Sequence, residues 1–299
     1  MSIAKYIKQI GRGKDGARSI DRSQAKDLLG QILDGQTSDL EIGAFCLAMR
    51  IKGETPIEMA GFLDAIQDRL KTIENNIPAV VIPSYNGARK LPVLTPLLAF
   101  LIARQGLPVI VHGTSTESNR VNSQEILFHM GAPLRDPRMP SAAGEVQFVP
   151  TMQLSNGLQM LLQVRQAVGL RNSAHSLVKL MNPCSGEALL VTSYTHPEYA
   201  ISMRDTLTLI KSTALLLRGT EGEPVADPRR IPAMDTLQLG ELNRIQDPET
   251  RSLQKIPNLP SHEASETAAW TNAVLAQEVP VPVSIALQVK HIANLYGKM

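Results

Sequence analysis

One stretch of the sequence, residues 80–131, limits the fold more than any other. The apolar run Ala79–Ile82 is short and rich in β-branched residues, an apolar segment of helical length runs from Leu94 to Ala103, and a second strand pattern follows at Pro108–Val111. Two buried strands that flank one helix form a βαβ unit, which requires a parallel sheet and a right-handed crossover. The sequence therefore predicts an α/β domain.

The two loops that follow these strands are the first candidates for a functional site. Ligands of parallel sheets bind at the carboxyl ends of the strands. In this chain those ends lead into Pro83–Lys90 and into His112–Arg120. Both loops are therefore expected to contribute to a site.

The amino-terminal segment has the sequence signals of short helices. Three polar residues precede helical periodicity and are each followed, three positions later, by Gln or Glu, which is the capping-box pattern: Asp21 with Gln24, Ser38 with Glu41, and Thr55 with Glu58. Gly35 and Gly53 mark the ends of the first two helices. Residues 1–74 are predicted to form an all-helical domain. Residues 75–299 are predicted to form an α/β domain with a mainly parallel central sheet flanked by helices.

Beyond residue 131 the alternation of strands and helices continues. Strands are predicted at Val146–Val149, Ala188–Thr192 and Ala214–Leu217, and helices at Leu154–Val168, Arg171–Met181, Pro197–Ile210, Ala264–Leu275 and Val283–Leu295. The acidic segment after Arg218 is rich in proline and polar residues, and it is predicted to form long loops with short strands.

Composition excludes several classes of protein. The chain has 299 residues, of which 43% are hydrophobic, and this is enough for a substantial core. Its longest apolar run, near Leu97–Ile102, is far shorter than the roughly 20 residues that span a bilayer, so no membrane partner is expected. The amino terminus lacks the apolar segment of a secretion signal, and a cytoplasmic location is expected. Cys46 and Cys184 form neither a disulfide framework nor a metal-ligand spacing, so no metal is expected.

The basic charge is concentrated toward the amino terminus. The formal net charge is only +2, yet the first 22 residues carry six basic residues against two acidic ones. Residues 218–266 have the opposite balance, with nine acidic residues against six basic ones. For a polyanion-binding face, such an uneven distribution of charge matters more than the net charge does.

The segment RQAVGLRNSAHSLVKLMNP has a spacing that resembles a family signature. Arg165, Gly169, Arg171, Asn182 and Pro183 fall at positions found in anthranilate phosphoribosyltransferases and their nucleoside phosphorylase relatives. Further landmarks that resemble the family are Val111-His112-Gly113, Ser118 and Arg218–Gly222. The resemblance spans nearly the whole chain. It implies the family fold, in which a small helical domain, joined in space by residues 165–183, is hinged to a large α/β domain.

The departures from this family fall where its chemistry occurs. Pro83–Gly87 replaces the motif Gly-Thr-Gly-Gly-Asp, whose backbone wraps pyrophosphate, and neither proline nor tyrosine suits a loop that presents successive N–H groups. The magnesium-binding Asp-Glu pair of the family aligns with Pro224 and Val225, which cannot ligate magnesium. Transfer to anthranilate is therefore expected to be lost, and no catalytic residue and no cofactor are expected.

Cationic residues lie close in sequence to these departures from the family motifs. This pattern resembles the DNA-binding, YbiB-type branch of the family. The segments IGRGKDGAR, MRIKGE, VVIPSYNGARK and GLRNSAHSLVKL are similar to that branch. The residues predicted to contact nucleic acid are Lys14, Arg18, Arg50, Lys52, Arg89, Lys90, Arg120, Arg165, Arg171 and Lys179. The resemblance implies binding of single- or double-stranded DNA, and of RNA, with little sequence preference. It also implies a homodimer formed through the helical domain.

An enzymatic alternative stays open. A modified site could contact the phosphate of a phosphoribosyl or nucleoside substrate through Ser84, Asn86, Thr95, His112 and Ser118. A nucleoside phosphorylase would need no magnesium for this. A phosphate or sulfate ion bound at Pro83–Gly87 would favour the enzyme.

Overall fold

The computed structural model describes residues 2–13, 15–132, 139–249 and 259–299. The helices are α1 Ala4–Ile10, α2 Arg22–Leu33, α3 Asp39–Lys52, α4 Pro56–Gln67, α5 Thr95–Ala103, α6 Ser123–His129, α7 Thr151–Leu154, α8 Asn156–Val168, α9 Ala174–Leu177, α10 Pro197–Leu209, α11 Ala264–Leu275 and α12 Val283–Tyr296. The strands are β1 Ala79–Ser84, β2 Val109–Gly113, β3 Val146–Pro150, β4 Ala188–Tyr194, β5 Thr213–Arg218, β6 Met234–Gln238 and β7 Glu241–Gln246.

The chain folds into two compact units. One comprises Met1–Lys71 and Thr151–Pro183, and the other comprises Thr72–Pro150 and Cys184–Met299. The second segment of the helical unit therefore starts 14 residues before the predicted residue 165. It does so because α8 belongs to the helical unit, where Gly157 lies so close to α2 that an added Cβ would be 2.3 Å from the carbonyl oxygen of Leu33.

All three predicted capping boxes of the helical unit are confirmed. The side chains of Asp21, Ser38 and Thr55 accept hydrogen bonds from the backbone three residues later, and each box has its reciprocal bond. The core of this unit includes an edge-on pair of rings, Phe45 and Phe62, whose centroids are 5.9 Å apart. Local capping signals and apolar periodicity were therefore enough to locate α2, α3 and α4.

The buried carboxylate of Glu58 joins three parts of the helical unit. Glu58 is fully buried, and one of its oxygens accepts a hydrogen bond from the backbone N–H of Ile20. The other oxygen caps α4 at Thr55 and forms an ion pair with Lys52 over 2.7 Å. A single side chain thus ties the segment before α2 to the end of α3 and the start of α4.

The other unit has the predicted fold, with a mainly parallel sheet flanked by helices. Its strands, within the described ranges, lie in the order β3-β2-β1-β4-β5-β6-β7. The first five of these run parallel, as the βαβ interpretation requires. Strand β6 pairs antiparallel with β5, and β7 pairs antiparallel with β6. The apolar α5 packs in the core with residues of the sheet, α11 and α12.

The predicted helix Arg171–Met181 is reduced to the single turn α9. The side chain of Asn172 donates a hydrogen bond to the carbonyl oxygen of Leu161 and accepts one from the N–H of Ala174. Side chains that bond to nearby backbone groups in this way compete with helix formation. The apolar periodicity of the segment instead reflects burial in the helical unit.

A membrane span is not found. Across the described ranges, the helices lack the combination of length and apolar character that crossing a bilayer would require.

Candidate functional site

Three loops converge at the carboxyl ends of β1, β2 and β5. The loop after β1 pairs with the loop after β2 through an antiparallel bridge between Ala88 and Val121. Gly113, at the end of β2, lies so close to β1 that an added Cβ would be 1.9 Å from the carbonyl oxygen of Ser84. Because β1 lies between β2 and β4, this region is a switch point of the sheet, where α/β folds commonly bind ligands.

The centre of this region is occupied by the carboxylate of Glu223, which is 1% exposed. One carboxylate oxygen accepts hydrogen bonds from the backbone N–H groups of Asn86 and Gly87, at 2.8 and 2.9 Å. The other accepts from the hydroxyls of Ser84 and Thr95, at 2.6 and 2.9 Å. Two main-chain amides and two hydroxyls therefore surround an anion that the protein itself supplies. They come from the end of β1, from the loop that follows it (residues 85–94, the β1 loop) and from the start of α5.

The hydroxyl of Ser123 extends this network. It lies 2.7 Å from the Ser84 oxygen. Since the single proton of Ser84 is donated to Glu223, Ser123 must donate to Ser84. Four donors on one carboxylate match its roughly four lone-pair sites, so Glu223 has little capacity left for another partner.

Glu221 binds the second half of the β1 loop. Its carboxylate accepts hydrogen bonds from the backbone N–H groups of Arg89, Lys90 and Leu91, at 2.8, 3.1 and 3.2 Å. Glu221 has a φ of 51°, and it is followed by Gly222 with a φ of 91°. An added Cβ on Gly222 would be 1.9 Å from the side-chain amide nitrogen of Asn86, so only glycine allows the two loops to approach this closely.

The loop after β5, which carries Glu221 and Glu223, is also anchored by α12. The side-chain amide of Gln288 accepts a hydrogen bond from the N–H of Ala226 and donates one to the carbonyl oxygen of Pro224. The hydroxyl of Ser284 donates to the carbonyl oxygen of Asp227. The loop that carries Glu221 and Glu223 is therefore held by contacts on both sides.

The structure brings together only part of the predicted phosphate site. Ser84, Thr95 and the backbone of Asn86 converge, but all three bind Glu223. His112 is fully buried, its Nδ1 lies 2.9 Å from the hydroxyl of Tyr85, and burial lowers its pKa to about 3, so its imidazole is neutral. Ser118 is exposed. The predicted five-residue set therefore does not form an open phosphate site.

The magnesium ion that the family resemblance implies does not fit the residues present here. Pro224 and Val225 have no side-chain oxygen, as the sequence indicated, and the carbonyl oxygen of Pro224 accepts a hydrogen bond from Gln288. Of the acids in this loop, Glu221 and Glu223 have carboxylates bound by main-chain amides and hydroxyls of the β1 loop and α5, and Asp227 is paired with Arg229 and Arg230. A magnesium ion would have to displace these donors.

Two of the residues predicted to contact nucleic acid have largely buried side chains. Lys52 is 8% exposed because its ammonium group is bound by Glu58 and by the carbonyl oxygen of Gly53. Arg120 is 13% exposed, pairs with Glu117 and approaches the carbonyl oxygens of Asn86 and Gly87. Both cations are needed inside their own units, which the sequence alone did not show.

The remaining predicted cations divide between the two units. Arg89 and Lys90 are exposed on the β1 loop of the α/β unit, while Arg18 and Arg50 are exposed on the helical unit. Partly buried positions in the helical unit, each engaged in interactions within the protein, are Arg165, Arg171 and Lys179. Lys14 lies outside the described residues.

Sequence reasoning missed the residues that organise the site. Glu223 was counted only as part of an acidic segment, Glu221 was noted only within that segment and the landmark Arg218–Gly222, and Ser123 was not singled out. The available signal was the spacing Glu-Gly-Glu directly after β5, because the carboxyl end of a parallel strand is where site loops are found.

Comparisons with known proteins agree with the fold. Residues 4–70 match the helical bundle domain of a glycosyl transferase family. The chain is 40% identical to Escherichia coli (strain K12) YbiB over 299 residues, covering 96% of this chain and 92% of that protein. It is 27% identical to an anthranilate phosphoribosyltransferase of Symbiobacterium thermophilum over 225 residues, 72% of this chain and 64% of that enzyme.

A solved structure shows the same architecture. Anthranilate phosphoribosyltransferase (TrpD) from Thermus thermophilus superposes with a TM-score of 0.77 at 20% identity, covering 98% of this chain and 89% of that one. At this level of identity the superposition demonstrates the fold alone. The relationship to YbiB across nearly the whole length of both proteins shows that the chain belongs to the YbiB family, and its fold is that of anthranilate phosphoribosyltransferase.

Proposed function

We propose that this protein is a non-enzymatic nucleic-acid-binding protein that holds phosphate backbones by charge, with little dependence on base sequence. One observation carries the proposal. The main-chain donors of the β1 loop are bound by Glu221 and Glu223, whereas the side chains of Arg89 and Lys90 in the same loop are exposed and have no partner among the described residues. The loop can therefore meet a phosphate through these two side chains, but not through its amides.

The chemistry of the exposed cations suits a polyanion. Lysine and arginine that neutralise phosphates release condensed counterions, which gives affinity without reading the bases. No segment of the sequence resembles a helix-turn-helix or a zinc finger that would enter a groove and contact base edges. Nucleic acid is therefore the partner class that this surface fits, and we place the activity in the cytoplasm.

The enzymatic alternative is less well supported. A substrate phosphate at Ser84, Asn86 and Thr95 would have to displace the buried carboxylate of Glu223, which satisfies all three residues at once. Removing that carboxylate from its donors would cost about the energy of several charge-assisted hydrogen bonds. A phosphate ligand is therefore disfavoured at these three residues.

Replacement of Arg89 and Lys90 by alanine is expected to weaken binding of nucleic acid. If each side chain contacts one phosphate, the log–log dependence of affinity on salt should become shallower by about 1.4 for single strands and about 1.8 for duplexes. The measurement is fluorescence anisotropy with labelled single-stranded and duplex oligonucleotides of unrelated sequence at several salt concentrations. The effect should be the same for every sequence, because phosphates carry no sequence information.

The matched control is Lys290→Ala/Lys298→Ala, which removes the same charge from exposed positions of the same unit. It should leave the salt dependence close to that of the unmodified protein. Absence of binding by the unmodified protein at low salt would rule out the proposed function. In that case, assays for phosphoribosyl transfer and nucleoside phosphorolysis would follow.

We further propose that two copies associate through the helical unit. Helix α3 exposes a row of large apolar side chains on one face, where Leu40 is 84%, Leu47 46% and Ile51 64% exposed. Gly43 lies between them along the helix with open space around it, so another backbone could approach closely. Contiguous apolar surface of this kind usually marks an interaction site, and a self-complementary contact between copies is the commonest form of assembly.

The variant Leu47→Glu/Ile51→Glu is therefore expected to convert a dimer into a monomer, because it places two charges in an apolar contact. Sedimentation velocity measures the change directly. The control Ile201→Glu alters an apolar residue that is 61% exposed on α10 of the other unit, and it should leave the mass unchanged. A monomeric unmodified protein at micromolar concentration would contradict the proposed assembly.

A further inference from the structure

A cationic depression lies on the surface of the helical unit. It has a volume of about 420 Å³ and is lined by Lys5, Lys8, Gln9, Arg12 and Arg18. Four of these five residues are cationic, and all four are exposed. Apart from Arg18, none of them was among the residues predicted from the sequence to contact nucleic acid.

The cations differ in how far the protein neutralises them. Lys5 lies 3.8 Å from a carboxylate oxygen of Asp27, and its ammonium group is 4.5 Å from the ring centroid of Tyr6. Arg18 donates from one nitrogen to backbone carbonyl oxygens only. Lys8 and Arg12 have no hydrogen-bond or ion-pair partner among the residues that the structure describes. The depression therefore holds net positive charge that nothing in the described part of the helical unit balances.

Main-chain contacts fix the walls of the depression. The N–H of Arg18 donates to the carbonyl oxygen of Gln9 over 3.1 Å, and the side-chain amide of Gln9 donates to the carbonyl oxygen of Ser19 over 2.8 Å. The next residue, Ile20, is bound through its N–H to the buried carboxylate of Glu58. The segment after α1 is thus folded back and fastened, which keeps the cations together before any ligand arrives.

Helix stability accounts for only one of these charges. Lys8 lies in the last turn of α1, where a cation is favourable to the helix dipole. Arg12 and Arg18 lie beyond the helix end, where the dipole effect has fallen off. Their placement around the same depression is better explained by an external anion.

We propose that this depression is a second phosphate-binding surface, and that it holds phosphodiester groups of the same nucleic acid that the β1 loop contacts. The inference rests on the proposed function and deepens it, because it assigns Lys8 and Arg12 as phosphate contacts in the helical unit. Backbone phosphates fit the site because its cations come from side chains with several N–H donors each.

The test compares the full-length protein with the variant Lys8→Ala/Arg12→Ala in the anisotropy assay at several salt concentrations. We expect affinity to fall about tenfold or more at low salt, and the salt dependence to become shallower by about 1.4 for single strands. The control Lys26→Ala/Lys71→Ala removes the same charge from exposed or half-exposed positions of the same unit and should bind as the unmodified protein does. Circular dichroism verifies that each variant is folded.

The outcomes separate this inference from the proposed function. If the unmodified protein and the Lys8/Arg12 variant bind equally while the Arg89/Lys90 variant is impaired, the proposed function stands and the depression is not a binding surface. If the unmodified protein binds no nucleic acid, both proposals fail. A further arm uses vesicles of phosphatidylglycerol. Binding to these vesicles through Lys8 and Arg12, without binding to oligonucleotides, would overturn the assignment to nucleic acid.

Discussion

The variant Glu223→Ala is expected to lose about 3–5 kcal/mol of unfolding free energy, one of the two largest single-residue effects that the structure implies. The substitution leaves the N–H groups of Asn86 and Gly87 and the hydroxyls of Ser84 and Thr95 without their shared acceptor. Buried donors without acceptors keep their full desolvation penalty. The loop after β1 should lose its fixed conformation as a result.

Urea unfolding followed by tryptophan fluorescence measures this loss. Trp270 is the single tryptophan of the chain and lies 8% exposed in α11 of the α/β unit, so its emission reports on the unit that contains Glu223. Glu221→Ala is the matched control. Its loss should be smaller, because two of its three amide partners belong to the exposed residues Arg89 and Lys90. Equal and small effects of both substitutions would contradict the central role of Glu223.

A second measurement on the Glu223→Ala variant tests whether its donors form an anion receptor. Inorganic phosphate should raise the unfolding midpoint of the variant but not that of the unmodified protein. A ligand that binds only the folded state stabilises it by about 2.7 kcal/mol at a hundredfold excess over its dissociation constant. In the unmodified protein the same donors already hold a carboxylate, so phosphate cannot bind to them.

The variant Glu58→Ala is expected to destabilise the helical unit by about 3–5 kcal/mol. Glu58 is fully buried, and its loss leaves the ammonium group of Lys52, the N–H of Ile20 and the cap at Thr55 without their common acceptor. Breaking a buried ion pair at one side is costly because the remaining charge stays buried. The segment that forms the cationic depression ends at Ile20, so its anchor is lost as well.

Circular dichroism in urea should show helix melting at lower denaturant in Glu58→Ala, while the tryptophan transition of the other unit changes less. The double variant Lys52→Met/Glu58→Gln is the matched control, since it removes both charges and retains an amide oxygen as an acceptor. With the single variants Lys52→Met and Glu58→Gln it completes a double-mutant cycle, in which the two positions should show a coupling energy of about 1–3 kcal/mol. Additive losses would contradict the buried ion pair.

Three carboxylates, those of Glu58, Glu221 and Glu223, fix the backbone next to exposed cations in the two units. In the β1 loop, Glu221 and Glu223 occupy the main-chain amides, and the rigid loop then presents the side chains of Arg89 and Lys90. In the helical unit, Glu58 fastens the segment that carries Arg12 and Arg18. In both places an internal carboxylate fixes the backbone, and cationic side chains face the solvent.

The sequence by itself determined the features that depend on local spacing. The capping boxes at Asp21, Ser38 and Thr55 located three helices, because a cap and its partner are only three residues apart. The βαβ unit followed from the length and apolar pattern of three consecutive segments. These signals act within a few residues, so no knowledge of distant contacts was needed.

Only the tertiary structure decided what the polar and charged residues do. Glu223 accepts a hydrogen bond from Ser84, which lies 139 residues away in the sequence. No local pattern indicates which acidic residue of the segment will be buried among hydrogen-bond donors. The sequence predicts Lys52 and Arg120 to be surface cations, yet each forms an ion pair with a carboxylate of its own unit, Glu58 and Glu117 respectively. The physical reason is that the role of a charge depends on which opposite charges, donors and solvent surround it, and folding brings these together from distant parts of the chain.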